Sequence, residues 1–415
     1  MTLTDHRGRP RVAITGMGVK TPAGLDVDSF WETVKNGRPT AATCDRWDVS
    51  DLPVQFASEV RGFDPVAYFG PTEARRNDRV TQFGFAAAAD ALSDAGEVGA
   101  DPSRCAVIIG TGIGGLETLE KNERLFSDKG PMRVSPFFVP MMMANATAGV
   151  VAMQFGWTGP NLCITTACSA GAHAIGEAAR LVRDGTVDAA LAGGTEACIT
   201  PVTLAAFARM GALSTRNEAP ERASRPFDAE RDGFVIGEGA AVVLLEPLDR
   251  AQARGATIYA EVVGYGRNAD AYHITAPSPG GAGAAACMHL ALDDAGLEPD
   301  AIGHVNAHGT STELNDAAES EAVRKVFGDD APPITSTKGV TGHCIGAAGA
   351  VETVASVLSL RAGIVPPTAN LEQLGDDIVA DVVSGTAREI GSKPVLSNSF
   401  GFGGHNATLI FAPPA

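Results

Sequence analysis

The sequence predicts an α/β fold of five alternating layers, α/β/α/β/α, built from two duplicated halves. Apolar strands alternate with helical segments along the whole chain, and the same order of signals occurs twice. The 415 residues are more than one hydrophobic core usually holds, and 45% of them are hydrophobic. We therefore expect halves of residues 1–253 and 254–415, with the boundary in the segment 250–257.

Two pairs of matching strands begin the halves. The runs from Val12 to Gly18 and from Ile258 to Gly266 are apolar and end in glycine, so each predicts a central strand. The run from Cys105 to Gly110 leads into a glycine loop, and the run from Ile302 to His308 leads into Gly-Thr-Ser-Thr. Each of these two runs predicts a strand that ends in a turn with functional side chains.

The next pair of segments places a helix directly after a reactive side chain in each half. The segment from Cys163 to Gly171 precedes a helical run over 172–182, and the segment from Thr335 to His343 precedes a helical run over 347–360. One further matching pair completes the halves: Ala189 to Gly194 and Val395 to Gly404.

The charge and the cysteine content argue against several classes of function. There are 32 Lys and Arg residues against 49 Asp and Glu residues, and a net charge of −17 disfavours binding to nucleic acid. The seven cysteines include no Cys-x-x-Cys pair, so neither a disulfide framework nor a metal site is expected. We expect no apolar segment long enough to span a membrane, and the first ten residues lack the apolar core of a signal peptide. We expect a cytoplasmic protein without a metal or a membrane partner.

Cys168 is the candidate nucleophile. It precedes a helix, where unpaired backbone N–H groups and the positive end of the helix dipole favour a thiolate. The small residues from Ser169 to Gly171 are expected to leave room for a substrate. The helices after Cys168 and His343 occupy duplicated positions, so we expect both residues to share a pocket with His308. A thiolate and two imidazoles suit acyl-thioester chemistry.

Five motifs carry a resemblance to a known family. They are Thr166-Ala-Cys-Ser-Ala-Gly171, Arg225 to Gly239, Asn306-Ala-His-Gly-Thr-Ser-Thr312, Lys338-Gly-Val-Thr-Gly-His343 and Asn398-Ser-Phe-Gly-Phe-Gly-Gly404. In this order they resemble the β-ketoacyl-ACP synthases of the thiolase superfamily, and most of all the elongating type II (FabF-like) members. The resemblance covers essentially the whole chain and implies a thiolase-like five-layered fold.

The resemblance also implies a reaction, the decarboxylative Claisen condensation of fatty acid elongation. Cys168 would take an acyl chain from acyl carrier protein (ACP), with the backbone N–H groups of Cys168 and Phe402 as the oxyanion hole. Malonyl-ACP would then bind, polarised by His308 and His343, lose CO₂ and attack the acyl-cysteine. The implied product is a β-ketoacyl-ACP extended by two carbons.

Further residues receive roles from the same resemblance. Lys338 is implied to be an electrostatic and positioning residue paired with Glu352, and Phe402 to be a gate for the second substrate. The remaining roles are support by Asn406, an acyl pocket of Ile113, Phe207 and Phe138, and phosphopantetheine binding by Thr275, Thr310 and Thr312. Phe137 and Phe138 match a stretch that lies near the dimer partner in relatives. Phosphopantetheine arrives on the carrier protein, so no free cofactor is expected.

The implied partners are ACP and a second copy of the chain in a homodimer. Carrier proteins are acidic, so a local basic patch is required on this acidic chain. Gly211 stands where some relatives have a docking arginine, and His405 stands beside the gate where threonine is more usual. The candidate docking residues are therefore Arg75, Arg76, Arg79, Arg209 and Arg216.

Other functions fit parts of the same sequence. A non-catalytic chain-length partner subunit would lack the nucleophile, whereas Cys168, His308 and His343 are all present. The turn from Gly110 to Gly115 fits the Gly-x-Gly-x-x-Gly pattern of a dinucleotide site, but the charged helix predicted over 116–126 leaves no second strand where that site requires one. A thiolase resembles the chain less, because it carries Asn where His308 stands and has a second catalytic cysteine. A ketosynthase subunit of a type II polyketide or polyene synthase, paired with a chain-length-factor homologue, stays open as an alternative.

Overall fold

The computed structural model describes residues 3–414, and fourteen strands form within them. They are β1 (Val12–Lys20), β2 (Ala42–Thr43), β3 (Phe56–Ala57), β4 (Cys105–Gly110), β5 (Asn161–Ile164), β6 (Ala189–Glu196), β7 (Gly239–Pro247), β8 (Ala260–Ala269), β9 (His304–Asn306), β10 (Ile334–Thr335), β11 (Ile364–Val365), β12 (Arg388–Glu389), β13 (Val395–Gly401) and β14 (His405–Ala412).

Thirteen α-helices form in the same residues. They are α1 (Val27–Lys35), α2 (Val66–Ala74), α3 (Arg79–Ala95), α4 (Leu116–Lys129), α5 (Phe138–Met142), α6 (Ala146–Phe155), α7 (Ala170–Arg183), α8 (Pro201–Arg209), α9 (Leu248–Ala253), α10 (Ala282–Ala295), α11 (Glu313–Phe327), α12 (Lys338–Thr341) and α13 (Ala348–Ala362). Short 3-10 helices, Ala167–Ser169 and Ile345–Ala347, lead into α7 and α13.

The main sheet has the same strand order in both halves of the chain. Its order is β10-β9-β13-β14-β8-β1-β7-β6-β4-β5. Outward from the centre, the order is β1-β7-β6-β4-β5 in the first half and β8-β14-β13-β9-β10 in the second. When the five main-sheet strands of each half are numbered along the chain, both orders are first, fifth, fourth, second and third. An antiparallel pairing of Val12–Ile14 with Ala260–Val262 joins the halves. The repeated order agrees with the duplication expected from the sequence.

Five layers result from how the helices cover this sheet. Helices α7 and α13 pack against each other and against strands of both halves, and the largest hydrophobic core surrounds them. Helix α3 covers the outer face of the first half, and α10 and α11 cover the outer face of the second. The layers are α3, the first half-sheet, α7 with α13, the second half-sheet, and α10 with α11. The proposed boundary after residue 253 lies at the end of α9, between β7 and β8.

The largest difference from the sequence-based expectation lies in the last segment. The sequence matches Val395–Gly404 only with Ala189–Gly194, but the chain continues past Gly404 and forms a hairpin of β13 and β14. Gly403 and Gly404 have φ values of 85° and 74°, which other residues rarely adopt, and they turn the chain back. The turn therefore holds Phe402 at the end of the hairpin.

The glycine turn after β4 is not a dinucleotide site. The charged helix predicted after it is present as α4, and the next strand of the main sheet, β5, begins only at Asn161. A dinucleotide-binding unit needs its second strand, with an acidic residue, about 20 residues after the turn. The distance along the chain from the turn to β5 therefore agrees with the conclusion from the sequence that this turn does not bind a dinucleotide.

Within residues 3–414, the helical segment Ile345–Ala362 is long and apolar enough to cross a membrane by length and composition. This differs from the expectation that no segment is long enough. The segment includes the central helix α13, and 83% of it is buried inside the fold. Packing on both half-sheets accounts for its apolar composition.

Candidate active site

Cys168 lies in the short 3-10 helix that leads into α7, and it lines a cavity of about 570 Å³. The preceding Ala167 has a φ of 51°, in the left-handed region that side chains disfavour. The backbone N–H groups of Cys168 and Phe402 both hydrogen-bond toward the Cys168 sulfur. Two donors therefore converge where negative charge develops on a bound thioester, as an oxyanion hole requires.

One cysteine and two histidines meet in this cavity. Nε2 of His343 lies 3.0 Å from Sγ of Cys168. A nitrogen of His308 completes a set of three atoms that lie within 4.8 Å of one another. The two imidazole rings meet edge to face at a centroid distance of 5.4 Å, and Phe234 and Phe400 pack against them. These rings restrict each imidazole to one orientation.

Burial keeps both imidazoles neutral. Desolvation, followed by the Lys338 ammonium, lowers the pKa of His308 and of His343 well below the usual value. Nζ of Lys338 lies 3.3 Å from Nδ1 of His308. An ammonium can only donate, so Nδ1 accepts and the hydrogen of neutral His308 is on Nε2. His308 therefore presents an N–H donor on the side of its ring away from Lys338.

Lys338 is held by three contacts at the start of α12. Its ammonium pairs with the carboxylate of Glu352 on α13, donates to the carbonyl oxygen of His308 at 2.5 Å and contacts the His308 ring. Burial raises the pKa of Glu352 to about 7, and the nearby ammonium opposes this shift. The pair expected between Lys338 and Glu352 is present, and it positions His308.

The Cys168 thiol is protonated in the resting site. Burial raises its pKa to about 11, although Lys338 and the two backbone N–H groups favour the thiolate. The helix start contributes as the sequence suggested, but desolvation outweighs it. Attack on a thioester must therefore move the thiol proton, and Nε2 of His343 is the nearest acceptor at 3.0 Å.

A buried glutamate that the sequence analysis missed supports the His308 turn. The carboxylate of Glu319, on α11, accepts the backbone N–H groups of His308 and Gly309 at 2.8 Å each. It also accepts from the side-chain amide of Asn398 at 3.2 Å. In the sequence Glu319 has the appearance of an ordinary helical glutamate, because its partners come from another strand and its own preceding loop.

The turn around Phe402 is anchored to the nucleophile turn. The hydroxyl of Ser169 lies 2.6 Å from the carbonyl oxygen of His405 and 3.1 Å from that of Ser399. A Cβ on Gly401 would lie 2.7 Å from a backbone oxygen of the nucleophile turn, so this approach requires glycine. Ser169 is fully buried and does not line the cavity, which differs from the expectation that it leaves room for substrate.

Ser169→Ala is expected to lower the free energy of unfolding by about 1–3 kcal/mol, because buried carbonyl oxygens lose a donor. Denaturant unfolding followed by fluorescence measures this loss. Ser127→Ala, at an exposed position on α4, is the matched control and should change stability by less than about 0.5 kcal/mol. Equal stability of the two variants would contradict the anchoring role of Ser169.

Asn406 connects the β13–β14 hairpin to the end of β8 and to the residue that follows it. Its side-chain amide donates to the side-chain oxygens of Asn268 at 2.9 Å and of Asp270 at 2.7 Å. The backbone N–H of Asp270 donates to the carbonyl oxygen of Gly404 at 2.9 Å. His405 is half-buried between these contacts, as the first residue of β14. Asn406, for which the resemblance implies a supporting role, thus anchors the β13–β14 hairpin.

The cavity brings together most of the residues expected to bind substrate. Ile113 and Phe207 line it, as do the three threonines, Thr275, Thr310 and Thr312. Phe138 and its neighbour Phe137 do not line the cavity of the single chain, and the acyl-pocket role of Phe138 stays a prediction. The reason is that α5, which Phe138 begins, packs on α4 and α6 near the surface.

The five candidate docking arginines do not form one patch of free cations. Arg79 makes a two-pronged ion pair with a buried glutamate, at 2.6 and 3.0 Å, so it is not available for docking. Arg76 and Arg216 pair with glutamates close to them in the chain. Arg75 and Arg209 are exposed and form no ion pair within residues 3–414.

Two family models together match most of the chain. "Beta-ketoacyl synthase, N-terminal domain" matches residues 9–251, and "Beta-ketoacyl synthase, C-terminal domain" matches residues 259–372. A curated relative is the 3-oxoacyl-[acyl-carrier-protein] synthase 2 of Synechocystis sp.. The chain is 47% identical to it over 409 residues, which are 97% of this chain and 98% of the relative.

Solved structures of similar fold are also ketosynthases. The ishigamide ketosynthase/chain length factor superposes with a TM-score of 0.92 and 35% identity, over 98% of this chain and 100% of that one. A type II polyketide ketosynthase, solved with its acyl-carrier protein, has a TM-score of 0.91 and 32% identity over the same shares of the two chains. The sequence, the strand order and the cysteine-histidine-histidine site agree with these matches, and the chain belongs to the β-ketoacyl synthase family.

Proposed function

We propose that the protein is a β-ketoacyl-ACP synthase II, a condensing acyltransferase of fatty acid elongation. It joins an acyl group held on Cys168 to malonyl-ACP with loss of CO₂, giving a β-ketoacyl-ACP. The observation that carries this proposal is the 3.0 Å contact between Cys168 and His343 in the cavity that His308 also lines. The 47% identical relative is named for the same reaction.

In the first half-reaction Cys168 attacks the thioester of acyl-ACP. The S–C bond to Cys168 forms, and the bond to the pantetheine sulfur breaks. The thiol proton passes to Nε2 of His343, 3.0 Å away, and ends on the departing pantetheine sulfur. The backbone N–H groups of Cys168 and Phe402 stabilise the tetrahedral oxyanion.

In the second half-reaction malonyl-ACP replaces the released carrier protein. The Nε2–H of His308 donates to the malonyl thioester oxygen. His343 can donate to the same oxygen once its ring hydrogen has moved, by exchange with water, from Nδ1 to the Nε2 that the first half-reaction leaves unprotonated. The C–C bond to the carboxylate breaks, CO₂ leaves, and the electron pair forms an enolate. Its carbon attacks the acyl carbonyl, the C–S bond to Cys168 breaks, and the thiolate takes up a proton from water, so one proton is consumed for each CO₂ released.

The reaction as written uses no metal and no redox group. Its parts are the cysteine, the two imidazoles, Lys338 and backbone donors, and phosphopantetheine enters on the carrier protein past Thr275, Thr310 and Thr312. We therefore expect metal chelators to leave the rate of condensation unchanged. The rate is measured by CO₂ release before and after dialysis against a chelator, and a loss restored by added metal would contradict this expectation.

ACP is the carrier-protein partner of this reaction. Carrier proteins are acidic, and Arg75 and Arg209 are the two candidate arginines without an ion pair in residues 3–414. Met210 and Gly211, which follow Arg209, line the cavity. Arg209 is therefore our first choice for docking the carrier protein at the cavity entrance.

The second partner we propose is another copy of the chain. Strand β5 is the last strand of the main sheet, so one edge of its backbone is unpaired. Apolar side chains are exposed along this edge and on the helix packed beside it, with Leu162 at 49% and Met153 at 76%. Antiparallel pairing of two β5 strands would continue the sheet and cover these residues, and it brings Phe138 of α5 toward the partner.

Leu162→Asp is expected to convert the dimer to a monomer at equal protein concentration. A charge on the unpaired edge disfavours strand pairing, because it would be buried between the two copies. Light scattering on an eluting size-exclusion peak gives the mass, and Leu290→Asp, exposed on α10, is the matched control. A wild-type monomer that associates only with a second ketosynthase-like chain would overturn the homodimer.

The polyketide alternative uses the same three residues, and it differs in partner and acyl substrate. The support for this alternative is the similarity to the ishigamide ketosynthase/chain length factor, to which the chain is 35% identical. The chain is 47% identical to the Synechocystis sp. synthase. The higher identity, over the full length, favours fatty acid elongation.

Intact-protein mass spectrometry tests the proposed function. The chain is incubated with saturated, unsaturated and β-keto acyl-ACPs, with and without malonyl-ACP. A saturated acyl adduct on Cys168, followed by an extended β-ketoacyl-ACP, is the expected result. Adducts only with polyketide-like chains, or none without a second subunit, would favour the alternative.

A further inference from the structure

A fully buried glutamate outside the catalytic set, Glu196 at the end of β6, holds two loops together. Its Oε2 accepts the backbone N–H groups of Gly112 at 2.6 Å and of Gly346 at 3.1 Å. Its Oε1 accepts the hydroxyl of Thr111 at 3.0 Å, and that hydroxyl oxygen accepts the N–H of Gly114 at 3.2 Å. The carboxylate thus joins the glycine turn after β4 to the turn that precedes α13.

The charge of this carboxylate is stabilised by donors rather than by a cation. No ion pair formed by residues 3–414 includes Glu196. Burial raises the pKa of Glu196 to about 7, and the N–H groups of Gly112 and Gly346 are the leading causes that oppose this shift. The Gly-x-Gly-x-x-Gly turn therefore binds an internal carboxylate, where a dinucleotide site would bind a phosphate.

The two loops carry opposite parts of the cavity wall. Ile113 follows Gly112, Ile345 precedes Gly346, and both isoleucines line the cavity together with Cys168. The loops touch through their backbones, because a Cβ on Gly346 would lie 2.2 Å from the nitrogen of Gly112. The glutamate itself does not line the cavity. Any change in the reach of its side chain moves the two isoleucines relative to each other.

We propose that Glu196 is a positioning residue that sets which acyl chain lengths the cavity accepts, by holding Ile113 and Ile345 in place. The inference rests on the proposed function, since it concerns the acyl group that Cys168 receives. It acts through the cavity wall, without contact between Glu196 and substrate. One methylene in an apolar pocket changes discrimination by roughly 10–200-fold, so a small displacement of this wall has a measurable effect.

Two substitutions separate the reach of the side chain from its charge. Glu196→Asp keeps the charge, but the carboxylate stops about 1.5 Å short of its partners. Glu196→Gln keeps the reach: its amide oxygen accepts from Gly112 and Gly346, and its amide nitrogen donates to the hydroxyl oxygen of Thr111. Thr111→Val is a second variant that preserves the shape of the side chain and removes two hydrogen bonds, the one donated to the carboxylate and the one accepted from the N–H of Gly114.

The experiment measures the rate of acyl-adduct formation on Cys168 with a short and a long saturated acyl-ACP. The result is the long-to-short ratio of kcat/KM for each variant, with thermal unfolding measured in parallel. We expect Glu196→Asp to raise the ratio by about tenfold, because a loosened wall admits longer chains. Glu196→Gln should keep the wild-type ratio, and Thr111→Val should shift it in the direction of Glu196→Asp.

Any result that differs from these expectations contradicts the positioning role of Glu196. A loss of stability alone would slow both substrates by one factor and leave the ratio unchanged in Glu196→Asp. An equal shift in Glu196→Gln, which keeps the reach of the side chain, would show that the ratio does not depend on that reach. If Glu196→Asp does not fold, Thr111→Val decides by its ratio. A wild-type chain that forms adducts but no β-ketoacyl product would contradict the proposed function, and the adduct ratios would still test Glu196.

Discussion

Cys168→Ala is expected to abolish acyl-adduct formation and condensation. The sulfur is the atom on which the two backbone N–H groups and Nε2 of His343 converge, and the other six cysteines lie outside the lining of the cavity. Loss of the nucleophile removes the covalent route entirely, as in other enzymes that form acyl intermediates. Intact-protein mass spectrometry after incubation with acyl-ACP measures the adduct.

Cys168→Gln is the informative partner of this variant. Its amide resembles the acylated thiol, and the amide oxygen can accept from the backbone N–H groups of Cys168 and Phe402. His308 and His343 stay in place, so the variant is expected to decarboxylate malonyl-ACP without condensing it. Continued condensation by Cys168→Ala, or no CO₂ release by Cys168→Gln, would contradict the division of roles between the cysteine and the histidines.

The fold was predictable because the chain repeats its own pattern. Strands β1, β4 and β6 and helices α7 and α13 formed where apolar periodicity and glycines placed them, within a few residues. Strands β7 and β14, the last of each half, were not predicted. Each follows an irregular glycine-rich segment. Strand β7 pairs with β1 and β6, and β14 pairs with its hairpin partner β13 and with the distant β8, so each lies between two strands that its own segment does not reveal.

The duplication also explains why the site is asymmetric. Ala167 and Ile345, at the starts of the two matching 3-10 helices, have φ values of 51° and 43°. Cys168 follows Ala167, and Gly346 follows Ile345, so the second half has a glycine where the first has the nucleophile. That glycine contributes its N–H to Glu196. One half thus supplies the thiol, and the other supplies both imidazoles.

The catalytic set was visible in the sequence, but the contacts that support it were not. Short motifs contain Cys168, His308 and His343, so each could be recognised locally. The partners of Glu196 and Glu319 lie on other loops, and a buried carboxylate bound by backbone N–H groups has no pattern in its own segment. The candidate docking arginines could not be ranked from the sequence for the same reason. Whether an arginine is available to bind a carrier protein depends on ion pairs with glutamates that are distant in the sequence, as for Arg79.

His308→Ala and His343→Ala are expected to damage different half-reactions. His308 has its Nε2–H free for the malonyl thioester, because Lys338 occupies Nδ1. Removal of one such donor typically costs about 10²–10³ in rate. We therefore expect His308→Ala to lose decarboxylation and condensation by this factor and to keep most of its acyl-adduct formation.

His343→Ala should slow both half-reactions, because its Nε2 lies 3.0 Å from the sulfur that must lose a proton and also faces the malonyl site. Loss of a general base costs roughly 10²–10⁴ in rate. Adduct formation is followed by mass spectrometry and decarboxylation by labelled CO₂, with His289→Ala, exposed on α10, as the control. Loss of adduct formation in His308→Ala, with decarboxylation intact, would reverse the two assignments. The reason is that only His343 is placed to accept the thiol proton, and only His308 has its tautomer held by Lys338.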